Sequence, residues 1–395
     1  MNPIRLLCLL VLLFVPVTFA AVAAKLPDVS GVMRQFVSNE TVSGAITLVA
    51  RGGMVTQINA VGFSDVAAKK PMKADDLFWI ASMTKPITGI AVLMLQDEGK
   101  LSVDDAVEKH LPEFKGQWLV GERTKDTLSL KRAARPITLR DLLTHTSGLG
   151  NMDSPRHNSS LAELVTGYSQ VPLQFEPGSK WSYSNPGINT LGRVVEVVSG
   201  KPFAAFLDDR LIKPLGMKDT TFWPSAVQAQ RLAKTYEKGK DNKGLIETDN
   251  FFLKGLPVTD RSRTPYPAGG LFSTAADIAK LYQMMLEGGT ANKKQYLSAA
   301  AVKQLTSTQT GDIVTGFTNG MSWGLGFQVV KEPQGVTAML APGTFGHGGA
   351  YGTQSWGDPK SGTIYILMIQ RKGMPNGDAS AIRQAFQEAA TQKAP

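Results

Sequence analysis

Apolar, β-prone positions gather in two short runs near the start of the chain, Ala45 to Ala50 and Thr56 to Val61, on either side of Gly52-Gly53. They predict a hairpin. After Phe78-Trp79-Ile80 the apolar spacing becomes helical from about Met83 to Glu98 and stops at Gly99. Pro112 and Gly116 mark a break, Trp118 to Val120 and Thr127 to Leu130 predict a small exposed hairpin, and Leu139 to Leu143 a short helix. Pro186-Gly187 opens a helix to about Val198, closed by Gly200, and Pro202 suits the first turn of another that runs to about Ile212. Ser273 or Thr274 caps a further helix that ends at Gly288-Gly289.

The last third changes period. Trp323 to Val330, Gly352 to Gly357 and Thr363 to Gln370 predict strands, the last two joined by a turn at Asp358 to Gly362, and Ala379 to Thr391 predicts an amphipathic closing helix. Strands at both ends and helices between them predict an α+β chain. One antiparallel sheet is built from both chain ends and flanked by helices (about 25–80 and 265–395), and a helical lobe (about 90–260) is inserted into it. A cleft between the lobes is the expected site.

The first 24 residues stand apart. Arg5, the apolar run Leu6 to Val15 and the small residues Ala21-Val22-Ala23 read as a secretory signal peptide. The run is shorter than the ~20 apolar residues that a membrane span needs. A mature N-terminus is expected between Ala21 and Lys25, with Thr18-Phe19-Ala20 an alternative cleavage site, and the protein is expected to be exported, periplasmic or extracellular. The only cysteine, Cys8, lies within that segment, so the remainder has no disulfide and no thiol chemistry. Net charge is +9, and +8 without Arg5 (41 basic minus 33 acidic). The basic residues are scattered rather than striped with aromatics, which argues against a nucleic-acid partner. No His/Cys or carboxylate spacing suggests a metal, no cofactor is implied, and no G-x-S-x-G elbow is present.

Three short stretches carry chemistry. Ser82-Met83-Thr84-Lys85 places a serine and a lysine on one face of a helix. An unprotonated lysine can take the serine's proton, and a helix start at Ser82 offers N–H groups to an oxyanion. Tyr183-Ser184-Asn185 sits in a Gly/Pro-bounded loop before a helix. A phenol beside a cationic lysine would have its pKa lowered and could relay a proton to a leaving group, while Asn185 could orient Lys85 or hold a substrate amide. His347-Gly348-Gly349 opens a glycine-rich stretch in which the Ala350 N–H could pair with that of Ser82 as an oxyanion hole. His110, His145 and His157 are scattered in the sequence.

The order and spacing of these stretches resemble the serine β-lactamase and penicillin-binding family, in its class C branch, which includes DD-peptidases, D-aminopeptidases and β-lactamase-like esterases. The resemblance runs from about Val32 to about Glu388. Supporting stretches are Phe78 to Lys85, Leu142-Leu143-Thr144-His145-Thr146-Ser147-Gly148-Leu149, Phe175-Glu176-Pro177-Gly178 and Pro267-Ala268-Gly269-Gly270-Leu271. The resemblance implies that Ser82 is the acylated serine, Lys85 its basic partner, Tyr183 the catalytic tyrosine and Asn185 its companion. The third stretch departs from the pattern: class C β-lactamases carry Lys-Thr-Gly there. Gly348 has no hydroxyl for a substrate carboxylate, a loss of ~1.5–3 kcal/mol of recognition, and His347 grips an anion less well than lysine. Arg371 or Lys372 are candidates for a replacement clamp. The expected function is acyl hydrolysis of a small ester, amide or peptide through acyl-Ser82. Esterase or amidase ranks ahead of D-amino-acid peptidase and β-lactamase, and a catalytically silent binding protein is the rival class. Oligomeric state is not specified by the sequence.

Overall fold

The computed structural model describes residues 28–150, 158–250, 252–253 and 255–392. The segment expected to be a signal peptide, its expected cleavage sites and His157 lie outside the described residues. The main sheet is laid down by the two ends of the chain. After helix α1 (Val29–Ser38), β1 (Gly44–Arg51) and β2 (Met54–Asp65) form the expected hairpin, followed by the short β3 (Lys70–Pro71). Helix α2 (Thr84–Asp97) follows, then α3 (Asn185–Ser199) in the middle of the chain and α4 (Ala275–Leu286). The C-terminal part supplies β4 (Met321–Trp323), β5 (Gln328–Val330), β6 (Phe345–Gly348), β7 (Gln354–Asp358), β8 (Thr363–Met368) and α5 (Ala381–Thr391). The strand order is β4-β5-β6-β7-β8-β1-β2-β3, antiparallel throughout. The ends meet where β1 pairs β8, from Ile46 opposite Met368 to Arg51 opposite Thr363.

β1 and β8 are buried almost completely because both faces of the sheet are covered. Ile46, Leu48, Ile364 and Ile366 face the core that contains α2 and α4. Ala45, Val49, Tyr365 and Leu367 pack with Val29 and Met33 of α1 and Ile382 and Phe386 of α5. From Thr84 to Leu95 every residue of α2 is buried, so it is a central helix rather than an amphipathic surface one.

Two strand expectations need correction. Trp323 to Val330 is not one strand but the hairpin β4–β5. The Gly324 N–H donates to the Phe327 carbonyl (2.9 Å), and Gly326 has φ +97°, a conformation that glycine adopts without penalty. This turn packs on α2 so tightly that a Cβ on Gly89 would lie 2.6 Å from the Leu325 carbonyl. The strand expected from Gly352 begins instead at Gln354, because the Gly352 N–H closes a turn on the Gly349 carbonyl (2.9 Å). The helix after Pro202 is regular only over Phe203–Leu207 and then widens over Asp208–Ile212.

Candidate active site

A 3-10 turn, Ala81–Met83, leads directly into α2 and places Ser82 at the helix start. The first donor of the turn is the Met83 N–H, on the Ile80 carbonyl (3.1 Å), and the Ser82 N–H, one of the first donors of a helix N-terminus, makes no hydrogen bond among the described residues. Ala81, immediately before it, has φ +46°, a region unfavourable for a residue with a Cβ. The chain there is pinned on both sides: the Ile80 N–H donates to the Leu271 carbonyl (3.1 Å) and Thr84 Oγ1 to the Ala81 carbonyl (2.7 Å).

Lys85 is fully buried and gathers three partners. Its Nζ lies 3.1 Å from Ser82 Oγ, 2.8 Å from Asn185 Oδ1 and 2.6 Å from the Ala268 carbonyl. Burial pulls its pKa well below the ordinary lysine value. The two acceptor-only partners fix the orientation of a neutral amine. Its two protons go to Asn185 and Ala268, so its lone pair faces the Ser82 hydroxyl. The Pro267–Leu271 stretch that supplies Ala268 is itself strapped down, with Thr88 Oγ1 donating to the Pro267 carbonyl (2.8 Å) and the Ala268 N–H to Asn189 Oδ1 (3.0 Å).

Tyr183 hydrogen-bonds Ser82, and its ring centroid lies 4.6 Å from Lys85 Nζ. Its pKa is raised by burial, against the pull of the Ser82 hydrogen bond. The sequence argument for a lowered phenol therefore fails, and for a physical reason: burial of the ring penalises the phenolate. Ser184 caps α3 by accepting the Gly187 N–H (3.1 Å), which sends Asn185 into the helix beside Lys85.

His145, scattered in the sequence, turns out to brace the tyrosine. Its carbonyl accepts the Ser182 N–H (2.9 Å) and its Nδ1 the Ser184 N–H (3.1 Å), one bond on each side of Tyr183. The imidazole packs 4.5 Å from the Tyr183 ring, centroid to centroid. Accepting at Nδ1 puts the proton on Nε2 when the ring is neutral, and burial, reinforced by Lys85 and His347, holds its pKa well below the usual value. The His145 backbone sits at φ +60° and is anchored by Asp141, whose carbonyl takes the Thr146 N–H (2.9 Å) and whose carboxylate is gripped twice by Arg135 (2.6 and 2.9 Å). The one advance signal is that His145 lies within a stretch carrying the family resemblance.

His347 lies on β6, buried, with Nδ1 on the Gly348 carbonyl (2.6 Å). Burial and Lys85 lower its pKa to about 4, so it is uncharged at neutral pH. A Cβ on Gly349 would come within 2.6 Å of the Ile80 carbonyl, so only glycine lets this strand end run beside the nucleophile turn. Gly349 gives its own N–H to the Thr353 carbonyl (2.8 Å), whereas the Ala350 N–H makes no hydrogen bond among the described residues. A Cβ on Gly348 would overlap Asp378 Oδ1 and reach 2.5 Å from Gln354 Nε2. Asp378 sits in no motif of its own in the sequence. Arg371 and Lys372 are not a replacement clamp. Arg371 is tied to the Thr41 and Lys372 carbonyls, and Lys372 to Glu237 (3.1 Å). Trp181, Phe317 and Trp323 wall the tyrosine side, with Tyr183 5.0 Å from Phe317 and Trp181 5.3 Å from Trp323.

The arrangement brings Ser82, Lys85, Tyr183 and Asn185 into one cluster, with His347 6.2 Å from the tyrosine ring. The chain is 30% identical to Esterase EstB of Burkholderia gladioli, covering 94% of this chain and 97% of that protein. It is 31% identical over 62% of its length to 62% of the lovastatin esterase of Penicillium rubens. Its fold matches EstCE1, a hydrolase with promiscuous acyltransferase activity, with a TM-score of 0.74 at 24% identity, covering 92% of this chain and 97% of that one. The Beta-lactamase family model matches residues 29–390, and the chain therefore belongs to the β-lactamase family, as a serine hydrolase of the β-lactamase-related type.

Proposed function

We propose that the protein is an exported hydrolase of esters or amides that works through an acyl-Ser82 intermediate. The observation that carries this reading is the set of contacts at Lys85 Nζ: two acceptor-only partners, Asn185 Oδ1 and the Ala268 carbonyl, and Ser82 Oγ at 3.1 Å, so that the unprotonated amine would turn its lone pair to Ser82. In the first step Ser82 Oγ attacks the acyl carbonyl and its proton passes to Lys85 Nζ. The oxyanion is received at the Ser82 and Ala350 N–H groups. Tyr183, neutral and bonded to Ser82, hands a proton to the leaving alcohol or amine and is reprotonated from Lys85. Water then attacks the acyl-enzyme along the same path, which releases the acid and returns the proton to Ser82.

The aromatic wall of Trp181 and Phe317, backed by the fully buried Trp323, suits an apolar acyl or alcohol group. Glycine in place of a hydroxyl at position 348, together with an uncharged His347, disfavours substrates held by a carboxylate, so ester turnover should exceed β-lactam turnover. The sequence of residues 1–24 supports export to the periplasm or the medium. The test is covalent labelling by a fluorophosphonate, with kcat/KM for p-nitrophenyl butyrate against nitrocefin. Labelling of the native protein but not of Ser82→Ala, with the ester as the better substrate, supports the reading. Equal labelling of Ser82→Ala removes it, and faster nitrocefin hydrolysis moves the protein to the lactamases.

A further inference from the structure

Asp378 occupies the place toward which a side chain at position 348 would project, since a Cβ built on Gly348 overlaps its Oδ1. The carboxylate is mostly buried and firmly held. Gln354 Nε2 donates to Oδ1 (2.9 Å) and Gln328 Nε2 to Oδ2 (3.2 Å), and the Asn376 side chain takes the Asp378 N–H (3.0 Å). Gln354 cannot turn its oxygen toward the carboxylate, because that oxygen accepts from Trp356 Nε1 (2.8 Å). Both carboxylate oxygens thus meet amide donors, the pattern that suits an anion. Arg383 interacts electrostatically with Asp378 but makes no hydrogen bond to its carboxylate among the described residues. It bonds the Asp378 main-chain carbonyl (2.5 Å) and Gln387 Oε1 (3.2 Å), and its guanidinium lies 4.2 Å over the Trp356 ring. On the cleft side, both His347 and Tyr183 feel the Asp378 charge. Burial shifts Lys85 toward its uncharged form, and Arg371 and Lys372 are engaged elsewhere.

We infer that Asp378 is a specificity-determining residue that selects against acyl donors carrying a carboxylate, so that the substrates of this site are esters or amides with uncharged acyl groups. This rests on the acyl-hydrolase reading above. Where related enzymes place a hydroxyl to receive a substrate anion, this chain has both removed the hydroxyl and filled its position with a negative charge. Restoring Lys-Thr-Gly by His347→Lys with Gly348→Thr is therefore not enough, because the threonine would be built into the Asp378 carboxylate.

The experiment compares p-nitrophenyl butyrate with mono-p-nitrophenyl succinate, an acyl group of the same length ending in a carboxylate, on the native mature protein and on Asp378→Asn. The variant keeps the shape. Its side-chain oxygen can stay toward Gln354, and Gln328, whose Oε1 has no partner, can turn that oxygen toward the new amide. The succinate-to-butyrate ratio of kcat/KM should rise about tenfold or more, the scale of one like-charge contact relieved at short range, with butyrate changed by less than about twofold. An unchanged ratio in the folded variant overturns the inference. If Asp378→Asn melts early, Asp378→Ser removes the same charge and the same outcomes apply. Loss of butyrate turnover in Ser82→Ala checks the hydrolase reading separately. Binding of succinamate against butyramide to Ser82→Ala, with and without Asp378→Asn, read by tryptophan fluorescence, measures the charge preference without turnover. Equal preference there also counts against Asp378.

Discussion

Asn185→Asp tests the proposed base most directly. Asn185 Oδ1 lies 2.8 Å from Lys85 Nζ, so the substitution keeps an acceptor in place and adds one negative charge. Two unit charges at that separation would attract by about 6 kcal/mol at an effective dielectric of 20. Asn185 is exposed, however, and water absorbs much of this, leaving a rise in the lysine pKa of roughly one to three units. The sign follows from the role. Burial keeps native Lys85 well below the ordinary lysine value, and the base must be unprotonated to work. Raising its pKa moves the acid limb of acylation to higher pH, so at pH values on the native acid limb the rate should fall about tenfold for each unit the limb moves, and recover as the pH is raised. Asn185→Ala removes the acceptor without adding charge. It should lose rate through a misdirected amine while the acid limb of its pH profile stays where the native one lies. Single-turnover release of p-nitrophenol from p-nitrophenyl butyrate, followed over roughly pH 5 to 10, reads both effects. An Asn185→Asp profile whose acid limb coincides with the native limb would refute the assignment of Lys85 as the base.

Three further outcomes are expected. His145→Ala should lower kcat about 10 to 100-fold with little change in KM, by releasing the Tyr183 loop. His145→Asn should recover most of that, because its Oδ1 can take the Ser184 N–H and asparagine tolerates φ +60°; equal losses in both variants would contradict the brace. His347, at about 4 when folded against 6.5 unfolded, makes stability fall as pH drops from 6.5 towards 4, because the unfolded chain takes up the proton first. The loss at pH 5 is about 2 kcal/mol, so urea titrations at pH 7 and 5 should show His347→Gln losing less stability than the native protein by about that amount, and equal losses would count against it. Lys85→Ala and Tyr183→Phe should each slow acylation by about 10²–10⁴, and the double variant by far less than their product if they act as one unit; a multiplicative loss, measured by burst kinetics, would show independence.

What is legible in the sequence is what periodicity and local chemistry write into neighbouring residues. The hairpin at Gly52-Gly53, the helix after Ser82 and the helix opened by Pro186 are set by apolar spacing, turn glycines and caps, and they appear within a residue or two of their expected bounds, except that the second hairpin strand runs on four residues to Asp65. Ser82, Lys85 and Tyr183 can be nominated because each sits in a short pattern of its own. The Trp323 to Val330 hairpin is not legible, because its turn is made by close packing of Gly324 and Gly326 against other elements rather than by a polar turn sequence. His145 and Asp378 escape notice for a related reason. Each gains its meaning only from a contact distant in sequence, one with the loop of Tyr183 and the other with Gly348.

The same limit explains why the electrostatics differ from the sequence expectation. Read as a string, Ser82, Lys85 and Tyr183 suggest an unprotonated lysine as the base and a phenol softened by lysine charge. In the folded chain, Lys85, His145 and His347 are each pushed toward the uncharged form by burial, and so is Tyr183. A protein with a net charge of +9 thus encloses a nucleophile whose immediate titratable neighbours are each shifted toward the uncharged form. Neutrality serves the chemistry in two ways. An amine without its proton can accept one from Ser82, and a phenol that keeps its proton can give one to a departing alcohol. It also leaves nothing at the centre of the site to reward a substrate anion, so recognition falls to the aromatic wall and to the charge of Asp378 at the strand edge. The machinery that activates Ser82 and the features that choose its substrate are consequently separable: substitutions around Asp378 and Gly348 should redirect the enzyme while the Lys85–Asn185–Ala268 arrangement goes on producing the nucleophile.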